Sequence, residues 1–482
     1  MARKPAHRRV RIEKDLLGEK AVPAAAYFGV QTARALENFA ISGVALCHYP
    51  DFIRALAMVK LAAARANHEV GELPARVLRG IEMACRELIA GKLHEQFQID
   101  VFQGGAGTST NMNANEVIAN RALELMGHAK GEYAHCDPHD HVNLAQSTND
   151  FYPSALHVAM ILSNDRLIAE MRRLVAAFRR KGRQFARVLK MGRTQLQDAV
   201  PMTLGQEFDA WAASLEGEVA ALQTVERALC EVNMGGTAIG TGLNAPRGFS
   251  RACTRHLARI TRKPIHLAAD LIEATQDTQA YVLYASVLKS LAIKLSKTCS
   301  DLRLLASGPR AGLHELRLPP KQPGSSIMPG KVNPVIPEVV NQVCYRVIGN
   351  DLTVTLAAEA GQLQLNVMEP VIAACIFESQ LLFVNAARTL RVHCIDGIEA
   401  DVVACRNFVE RSIGVVTALN PHIGYEKSTE LAGEAMRTGK GIVELVRAHG
   451  LLSEQQIQAY LDPRAMVGGS RRKRARKPAR RR

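Results

Sequence analysis

The chain has 482 residues, of which 47% are hydrophobic and 22% are charged, and its formal net charge is +15. A chain of this length buries a large core and suggests about three domains. It contains no run of about 18 uncharged apolar residues, so we predict no membrane-spanning helix. Its basic start lacks the apolar core of a secretory signal, and we therefore expect a soluble protein of the cytoplasm.

Much of the positive charge lies at the end of the chain. Nine of the twelve residues 471–482 are Lys or Arg, which leaves +6 for the rest. Segment 468–482 has almost no apolar content, so we predict a disordered tail. The basic run favours binding to nucleic acid or another polyanion through phosphate neutralisation. A solvated tail without a dedicated partner explains the same run equally well.

The ten cysteines are scattered along the chain and form no CxxC pair. Their spacing does not match that of metal ligands, so we predict no metal site. Several lie among apolar residues, which is typical of reduced thiols in a protein core.

Long helices dominate the predicted elements. From Leu204 to Val232 apolar residues recur in steps of three or four, which predicts a helix of about 30 residues. Helices of this length need partners for their apolar faces, so we expect a bundle and an oligomer. The fold class is mainly α, since strand signals are few. The predicted long helices, in chain order, lie within 160–189, 204–232, 288–305, 339–364 and 370–395.

Mixed regions flank these helices and suggest the domain limits. We predict an N-terminal, mainly helical domain over 1–147 and a central five-helix bundle over 148–397. A small C-terminal helical domain follows over 398–467, and the basic tail covers 468–482.

Three polar segments precede predicted helices or interrupt the helical pattern. GGAGTSTNMNANE (104–116) and QSTND (146–150) are rich in hydroxyl and amide donors, and the second lies ahead of a helix expected near Pro153. Helix starts favour anions, although a loop or an ordinary helix cap explains each segment taken alone. In GRTQLQDAVPMTLGQE (192–207), Thr194 and Gln195 are neutral donors, and Pro201 suits the first turn of a helix.

The fourth segment, PGSSIMPGKVNPVIPE (323–338), is the most specific signal in the chain. It combines four prolines and two glycines with Ser325, Ser326 and Lys331. Glycine gives conformational freedom and proline restricts it, which suits a loop with defined ends. Together the four segments predict a pocket rich in donors that binds a small dianion. Motifs for phosphoryl and hydride transfer are absent.

At these segments the sequence resembles the aspartase/fumarase superfamily. GSSIMPGKVNP (324–334) is similar to its signature loop, and QGGAGTSTNMNANEV, STND, GGTAIGTGLN and QLQLNVMEPVI also match, so the resemblance covers about 11–466. Fumarases typically carry His where this chain has Gln195, and ADLIEATQDTQAYV (269–282) also resembles aspartases. The resemblance therefore implies elimination of ammonia from L-aspartate to give fumarate. Class II fumarate hydratase is the alternative, and a polyanion-binding protein acting through 471–482 is an alternative of another class.

The resemblance also implies an assembly and a set of residue roles. It implies a homotetramer with a twenty-helix core, in which three subunits complete each active site. No cofactor is required, and activation by Mg²⁺ is left open. Gln195 cannot carry the charge of the fumarase His that pairs with the Glu matching Glu338, so the group that protonates the leaving amine is also left open. The implied general base is Ser325, and the implied ligands of the β-carboxylate are Thr108, Ser147, Thr148 and Ser326. The implied ligands of the α-carboxylate are Thr194, Lys331 and Asn333. The amino group is contacted by Asn149 with Thr108 and bordered by Gln195, and Glu338 supports the site.

Overall fold

The computed structural model describes residues 9–460 and 467, and this part of the chain is mainly helical. That confirms the predicted fold class. The predicted tail, 468–482, with its basic run lies outside the described residues.

The α-helices have the following bounds. They are α1 (Val30–Asn38), α2 (Pro50–Glu69), α3 (Ala75–Ile89), α4 (Thr108–Leu125), α5 (Thr148–Gln184), α6 (Leu204–Val225), α7 (Phe249–Thr261), α8 (Leu271–Gln276), α9 (Gln279–Leu305), α10 (Val335–Glu359), α11 (Glu369–His393), α12 (Val402–Arg411), α13 (Val416–Ile423), α14 (Tyr425–Thr438), α15 (Ile442–Ala448) and α16 (Glu454–Tyr460).

The strands form two-stranded sheets. The pairs are β1 (Val10–Asp15) with β2 (Gly18–Pro23), β3 (Leu189–Thr194) with β4 (Gln197–Thr203), β5 (Glu231–Val232) with β6 (His266–Leu267), and β7 (Leu316–Arg317) with β8 (Glu399–Ala400). The β5–β6 pair is parallel and the others are antiparallel.

The chain divides into two compact units, and the five long helices α5, α6, α9, α10 and α11 contribute residues to both. The predicted division into three domains remains a prediction. Unit 1 comprises Met1–Met171, Gly217–Ile293 and Gln342–Ala386, and unit 2 comprises Arg172–Glu216, Lys294–Asn341 and Ala387–Arg482.

The apolar stripes fold as long helices, but several end earlier than predicted: α5 ends at Gln184, so Leu189 lies in β3, and α10 ends at Glu359 instead of Gln364. Phe208 and Leu215 of α6 are fully buried, as the helical spacing requires. However, α6 ends at Val225, so the prediction of a helix to Val232 is wrong. A 3₁₀ turn and strand β5 follow, and they still bury Leu229 and Val232. The apolar residues thus continue to recur every three or four positions beyond the end of the helix.

Two prolines lie elsewhere than predicted. Helix α5 begins at Thr148, not near Pro153, which lies inside the helix. Because Pro153 has no N–H, the carbonyl of Asn149 lacks its usual helical donor, and Nδ2 of Asn233 donates to it instead at 3.0 Å. Pro201 lies in strand β4, whereas the sequence placed it in the first turn of a helix. The helix α6 begins three residues later, at Leu204.

Buried thiols and apolar helices complete the core. All ten cysteines are free and all but Cys47 are buried, which confirms the prediction of core thiols. Among the described residues, one helical segment, Glu369–Gly397, is long and apolar enough to cross a membrane, although the sequence contains no run of about 18 uncharged apolar residues. Of its apolar window, 67% is buried inside the structure. Core helices of soluble proteins pass the same test, so this is weak evidence for a membrane span.

Candidate active site

The sequence-predicted site residues fall into two groups, one in each unit. Each group is described by itself. The unit 1 group consists of Thr108, Ser147, Thr148 and Asn149. The unit 2 group consists of Thr194, Gln195, Ser325, Ser326, Lys331, Asn333 and Glu338.

Thr108 lies at the start of α4, where a glycine-rich turn leads into the helix. Gly105, Ala106 and Gly107 all have positive φ values, of 82°, 54° and 89°. A Cβ at Gly107 would lie 2.5 Å from the ring of Tyr152, so only glycine fits there. Thr108 is exposed, and its Oγ1 donates to the carbonyl of Gly105 at 2.8 Å. The turn thus presents the threonine at a helix N-terminus, where an anion is favoured.

The start of α5 is held by its own polar residues. Oγ of Ser147 accepts the backbone N–H of Asn149 at 3.2 Å, and the carboxylate of Asp150 accepts that of Ser147 at 3.0 Å. Asp150 is fully buried and also accepts the N–H groups of Gly235 and Thr237. Burial raises the pKa of Asp150 to about 6, against the effect of these backbone donors. Asp150 therefore joins the STND turn to the GGTAIG loop.

The side-chain amide of Asn149 has a defined polarity. Its Nδ2 donates to the carbonyl of Ala238 at 2.8 Å, which leaves Oδ1 as an acceptor. An acceptor of this kind suits an ammonium group.

Thr148 has the opposite polarity, because its oxygen already accepts a hydrogen bond. Nδ2 of Asn111 donates to Oγ1 of Thr148 at 3.0 Å and to Oδ1 of Asn143 at 3.1 Å. The hydroxyl proton of Thr148 is therefore available to another acceptor, such as a carboxylate. Beneath these groups the ammonium of Lys60 donates to Oδ1 of Asn143 and Oε1 of Gln146, both at 2.9 Å.

In unit 2 the serine loop closes on itself. The N–H of Gly324 donates to the carbonyl of Lys331 at 2.7 Å, and Nδ2 of Asn333 donates to the carbonyl of Gly324 at 2.5 Å. A Cβ at Gly324 would lie 2.4 Å from the carbonyl oxygen of Lys331, so glycine is required there. Ser326 and Lys331 are exposed on this loop, and Glu338 lies in the first turn of α10.

The hydroxyl oxygen of Ser325 accepts two backbone hydrogen bonds within the loop. The donors are the N–H groups of Ile327, at 3.2 Å, and Met328, at 3.0 Å. Such donors stabilise negative charge on the oxygen and so make the hydroxyl a stronger acid. The arrangement favours the alkoxide that a serine base requires.

Thr194 and Gln195 lie at the tip of the β3–β4 hairpin. Gln195 and Leu196 both have left-handed backbones, with φ values of 53° and 61°, and the tip is exposed. In strand β3, Arg193 lies 2.7 Å and Lys190 3.0 Å from the fully buried carboxylate of Glu315. A buried ion network therefore holds the strand that ends in Thr194.

Several residues of these clusters were not assigned a role from the sequence. Lys60 and Asn233 were missed, and Asn111 and Asp150 were noted only as parts of polar segments. The signal for Lys60 was a single lysine inside the apolar run of α2. Among the described residues, no group of three or more His, Cys, Asp or Glu side chains is placed to hold a metal ion.

Comparison with known proteins gives matches along most of the chain. A family model described as Lyase matches residues 18–349, and one described as Fumarase C C-terminus matches residues 415–468. The aspartate ammonia-lyase of Pseudomonas aeruginosa is 59% identical over 95% of this chain and 97% of its own. The aspartate ammonia-lyase of Escherichia coli K12 is 55% identical over 93% of this chain and 94% of its own.

Solved structures share the fold. The fumarate lyase:delta crystallin of Brucella melitensis bound to cobalt has a TM-score of 0.92 at 53% identity, covering 94% of this chain and 99% of that one. The class II fumarase of Schistosoma mansoni has a TM-score of 0.89 at 33% identity, covering 95% and 99%. These matches, together with the serine loop and the STND turn, show that the chain belongs to the aspartase/fumarase superfamily of lyases.

Proposed function

We propose that this protein is an aspartate ammonia-lyase, which eliminates ammonia from L-aspartate to give fumarate in a reversible anti-elimination. The observation that carries the proposal is sequence identity to this chain, which differs between two kinds of relative. Proteins named aspartate ammonia-lyase are 53–59% identical to this chain, whereas the class II fumarase of Schistosoma mansoni is 33% identical.

The first step removes a proton from C3 of L-aspartate, and Ser325 is the proposed base. An ordinary serine hydroxyl is too weak an acid to provide an alkoxide at neutral pH. Hydrogen bonds from the N–H groups of Ile327 and Met328 to its oxygen lower this cost. The C–H bond breaks, its electron pair moves towards the β-carboxylate, and Ser325 takes the proton.

The β-carboxylate then becomes an enediolate-like dianion. Fixed donors aimed at the developing charge stabilise it more than they stabilise the substrate, which lowers the barrier. Thr148 supports this role, because its oxygen accepts from Asn111 and its proton is free to be donated. The proposed donors to the β-carboxylate are Thr108, Ser147, Thr148 and Ser326.

Collapse of this intermediate breaks the C–N bond and releases ammonia and fumarate. We assign Asn149, with Thr108, to the amino group, since Oδ1 of Asn149 is left as an acceptor. Gln195 borders this group, and Glu338 supports the site. The proposed ligands of the α-carboxylate are Thr194, Lys331 and Asn333.

The proposal also covers the cofactor requirement, the location and the assembly of the enzyme. The steps above use only side chains and backbone groups of the protein, so no cofactor is required, and added Mg²⁺ tests activation directly. We place the protein in the cytoplasm as a homotetramer in which three subunits complete each site. Exposed apolar residues on α10, such as Leu352 and Leu356, support burial between subunits.

The activity is tested by following fumarate through its ultraviolet absorbance. Purified protein with L-aspartate should produce fumarate, and fumarate should be consumed when ammonium is present. The alternative, a fumarate hydratase, consumes fumarate in buffer without ammonium and produces it from L-malate. Turnover of L-malate without turnover of L-aspartate would overturn the proposal.

A further inference from the structure

A fully buried lysine lies beneath the start of α5. Lys60 is 0% exposed, and its Nζ lies 2.9 Å from both Oδ1 of Asn143 and Oε1 of Gln146. The ring centroid of Phe151 lies 3.8 Å from the same nitrogen. The three N–H groups of an ammonium thus have three acceptors, two amide oxygens and one ring face.

The lysine helps to fix the orientation of the amides around it, together with the carbonyl of Gln146, which accepts from Nδ2 of Asn143 at 3.1 Å. An ammonium group only donates, so the atoms of Asn143 and Gln146 that face it must be oxygens. Oδ1 of Asn143 also accepts from Nδ2 of Asn111, at 3.1 Å. The same Nδ2 donates to Oγ1 of Thr148 at 3.0 Å, so that oxygen is an acceptor there. Lys60 and Asn111 therefore both donate to Oδ1 of Asn143, and Asn111 in turn donates to the hydroxyl oxygen of Thr148.

The charged groups around Lys60 favour its protonated form, although burial opposes it. Burial lowers the pKa of Lys60 well below its usual value, and the carboxylate of Asp150 acts in the other direction. The other titratable groups that face it are the thiols of Cys85 on α3 and Cys253 on α7. Burial raises the pKa of both thiols, so they remain neutral. The carboxylate of Asp150 is thus the charged group that favours the protonated form of Lys60 against burial.

We propose that Lys60 is a positioning residue that sets the amides of Asn143 and Asn111 and thereby presents the hydroxyl of Thr148 as a donor to the substrate carboxylate. This role rests on the proposed function, in which Thr148 binds the β-carboxylate. Without Lys60, Oδ1 of Asn143 loses its charged donor and keeps only the weaker amide donors of Asn111 and Asn115, so we expect a looser hold on Asn111 and on Thr148. The effect should be larger on the transition state, where the carboxylate carries more charge, than on the substrate.

The first test compares Lys60→Met with Lys181→Met. Lys181 is also a buried lysine, 9% exposed, whose Nζ donates to the carbonyl of Ile398 at 2.8 Å and faces the ring of Phe185. It belongs to unit 2, and neither Ile398 nor Phe185 is a proposed site residue. We expect Lys60→Met to lower kcat about 10- to 100-fold with a smaller change in KM, as for other residues that orient a reactive group. Lys181→Met should keep the wild-type kcat.

The second test is a double-mutant cycle with Asn111→Leu, which removes the link to Thr148. If both residues act through one path, the double variant is no slower than the slower single variant. Losses that multiply would show independent structural effects and would overturn the proposal. If Lys60→Met does not fold, as judged by circular dichroism, Lys60→Gln takes its place in the cycle.

The third test is a pH profile of kcat/KM for the wild-type enzyme and for Lys60→Gln. The wild type should lose activity as pH rises through the lowered pKa of Lys60, because the cation that orients the amides disappears. Lys60→Gln should be slower and should lack this basic limb. Identical profiles, or full kcat in Lys60→Met, would overturn the role of Lys60 alone. A wild-type enzyme that does not turn over L-aspartate would instead overturn the proposed function.

Discussion

At the scale of single residues, the polarity of each hydrogen bond decides what a polar side chain offers to a ligand. Asn149 uses its Nδ2 on Ala238 and leaves an acceptor, whereas Thr148 uses its oxygen on Asn111 and leaves a donor. The two neighbouring residues thus suit an ammonium group and a carboxylate, respectively. This difference is what the proposed substrate, with one positive and two negative groups, requires.

Asn149→Leu should impair the reaction with ammonium more than the binding of fumarate. The variant removes the free Oδ1 acceptor, so kcat/KM for ammonium in the addition to fumarate should fall about 10- to 100-fold, as for loss of one to two hydrogen bonds to a charged group. KM for fumarate, measured at saturating ammonium, should change much less. Equal losses for both substrates would contradict the assignment of Asn149 to the amino group.

His157 should make stability depend on pH. Its Nδ1 lies 2.7 Å from the carbonyl oxygen of Glu231, its ring packs against Tyr281, and burial lowers its pKa to about 4. Because the folded pKa lies below the unfolded value, the contribution is full above about pH 6.5 and is lost as pH falls towards 4. The loss should be about 2 kcal/mol, since the ring is not completely buried.

His157→Gln is the matched variant, because its side-chain amide can donate to the same carbonyl. Urea unfolding of both proteins between pH 6.5 and 4 measures the difference. The wild type should lose more free energy of unfolding over this range than the variant does. Parallel curves would show that His157 titrates normally.

At the scale of secondary-structure elements, one site segment contains a turn whose residues have an unfavourable left-handed backbone. The β3–β4 hairpin places Gln195 and Leu196 in left-handed conformations that Gly or Asn usually occupies. A buried ion network in strand β3 involves Lys190, Arg193 and Glu315. The strand that leads into the turn is thus held by buried charges.

Glu315→Gln should therefore destabilise the protein strongly. Removal of the carboxylate leaves the 2% exposed Lys190 and the 13% exposed Arg193 with one fewer counter-charge. We expect the free energy of unfolding to fall by about 3 kcal/mol in urea. The control is Glu399→Gln, whose carboxylate is 68% exposed and lies 3.3 Å from Arg317. The control should lose less than about 1 kcal/mol, and equal losses would contradict the role of burial.

The serine loop and the STND segment could be recognised from the sequence because their residues are consecutive, although the helix expected near Pro153 begins at Thr148. Long helices were also predictable, since apolar spacing along one chain segment determines which face is buried. The positions of Lys60 and Glu315 were not, because their partners are distant in sequence. Lys60 contacts Asn143 and Gln146, which lie 83 and 86 residues away. The left-handed backbone of Gln195 and Leu196 was not predicted, because Gly or Asn usually occupies such conformations.

At the scale of the whole molecule, the long helix α10 leaves large apolar side chains exposed on the single chain. Leu352 and Leu356 on α10 are 60% and 62% exposed, and Tyr345 on the same helix is 60% exposed. Apolar surface that is continuous along a helix indicates contact with another protein chain. This pattern supports the proposed homotetramer. The polyanion binding predicted for 471–482 concerns residues that the structure does not describe.

Leu352→Lys should disrupt the assembly and the activity together. A charge in the middle of a subunit interface costs desolvation energy, so the mass from light scattering should fall below that of a tetramer. Turnover should fall with it, because three subunits complete each proposed site. Leu16→Lys, at a fully exposed leucine in the β1–β2 turn, should change neither. A Leu352→Lys tetramer with wild-type turnover would contradict the proposed interface.

The central claim is that Ser325 takes the proton from C3 of L-aspartate. The most direct measurement is the rate of fumarate formation by Ser325→Ala, compared with the wild type and with Ile327→Ala, an exposed loop residue whose change keeps the backbone donor. Ser325→Ala should have almost no turnover while keeping the wild-type circular dichroism spectrum, and Ile327→Ala should remain active. Wild-type turnover in Ser325→Ala would contradict the account.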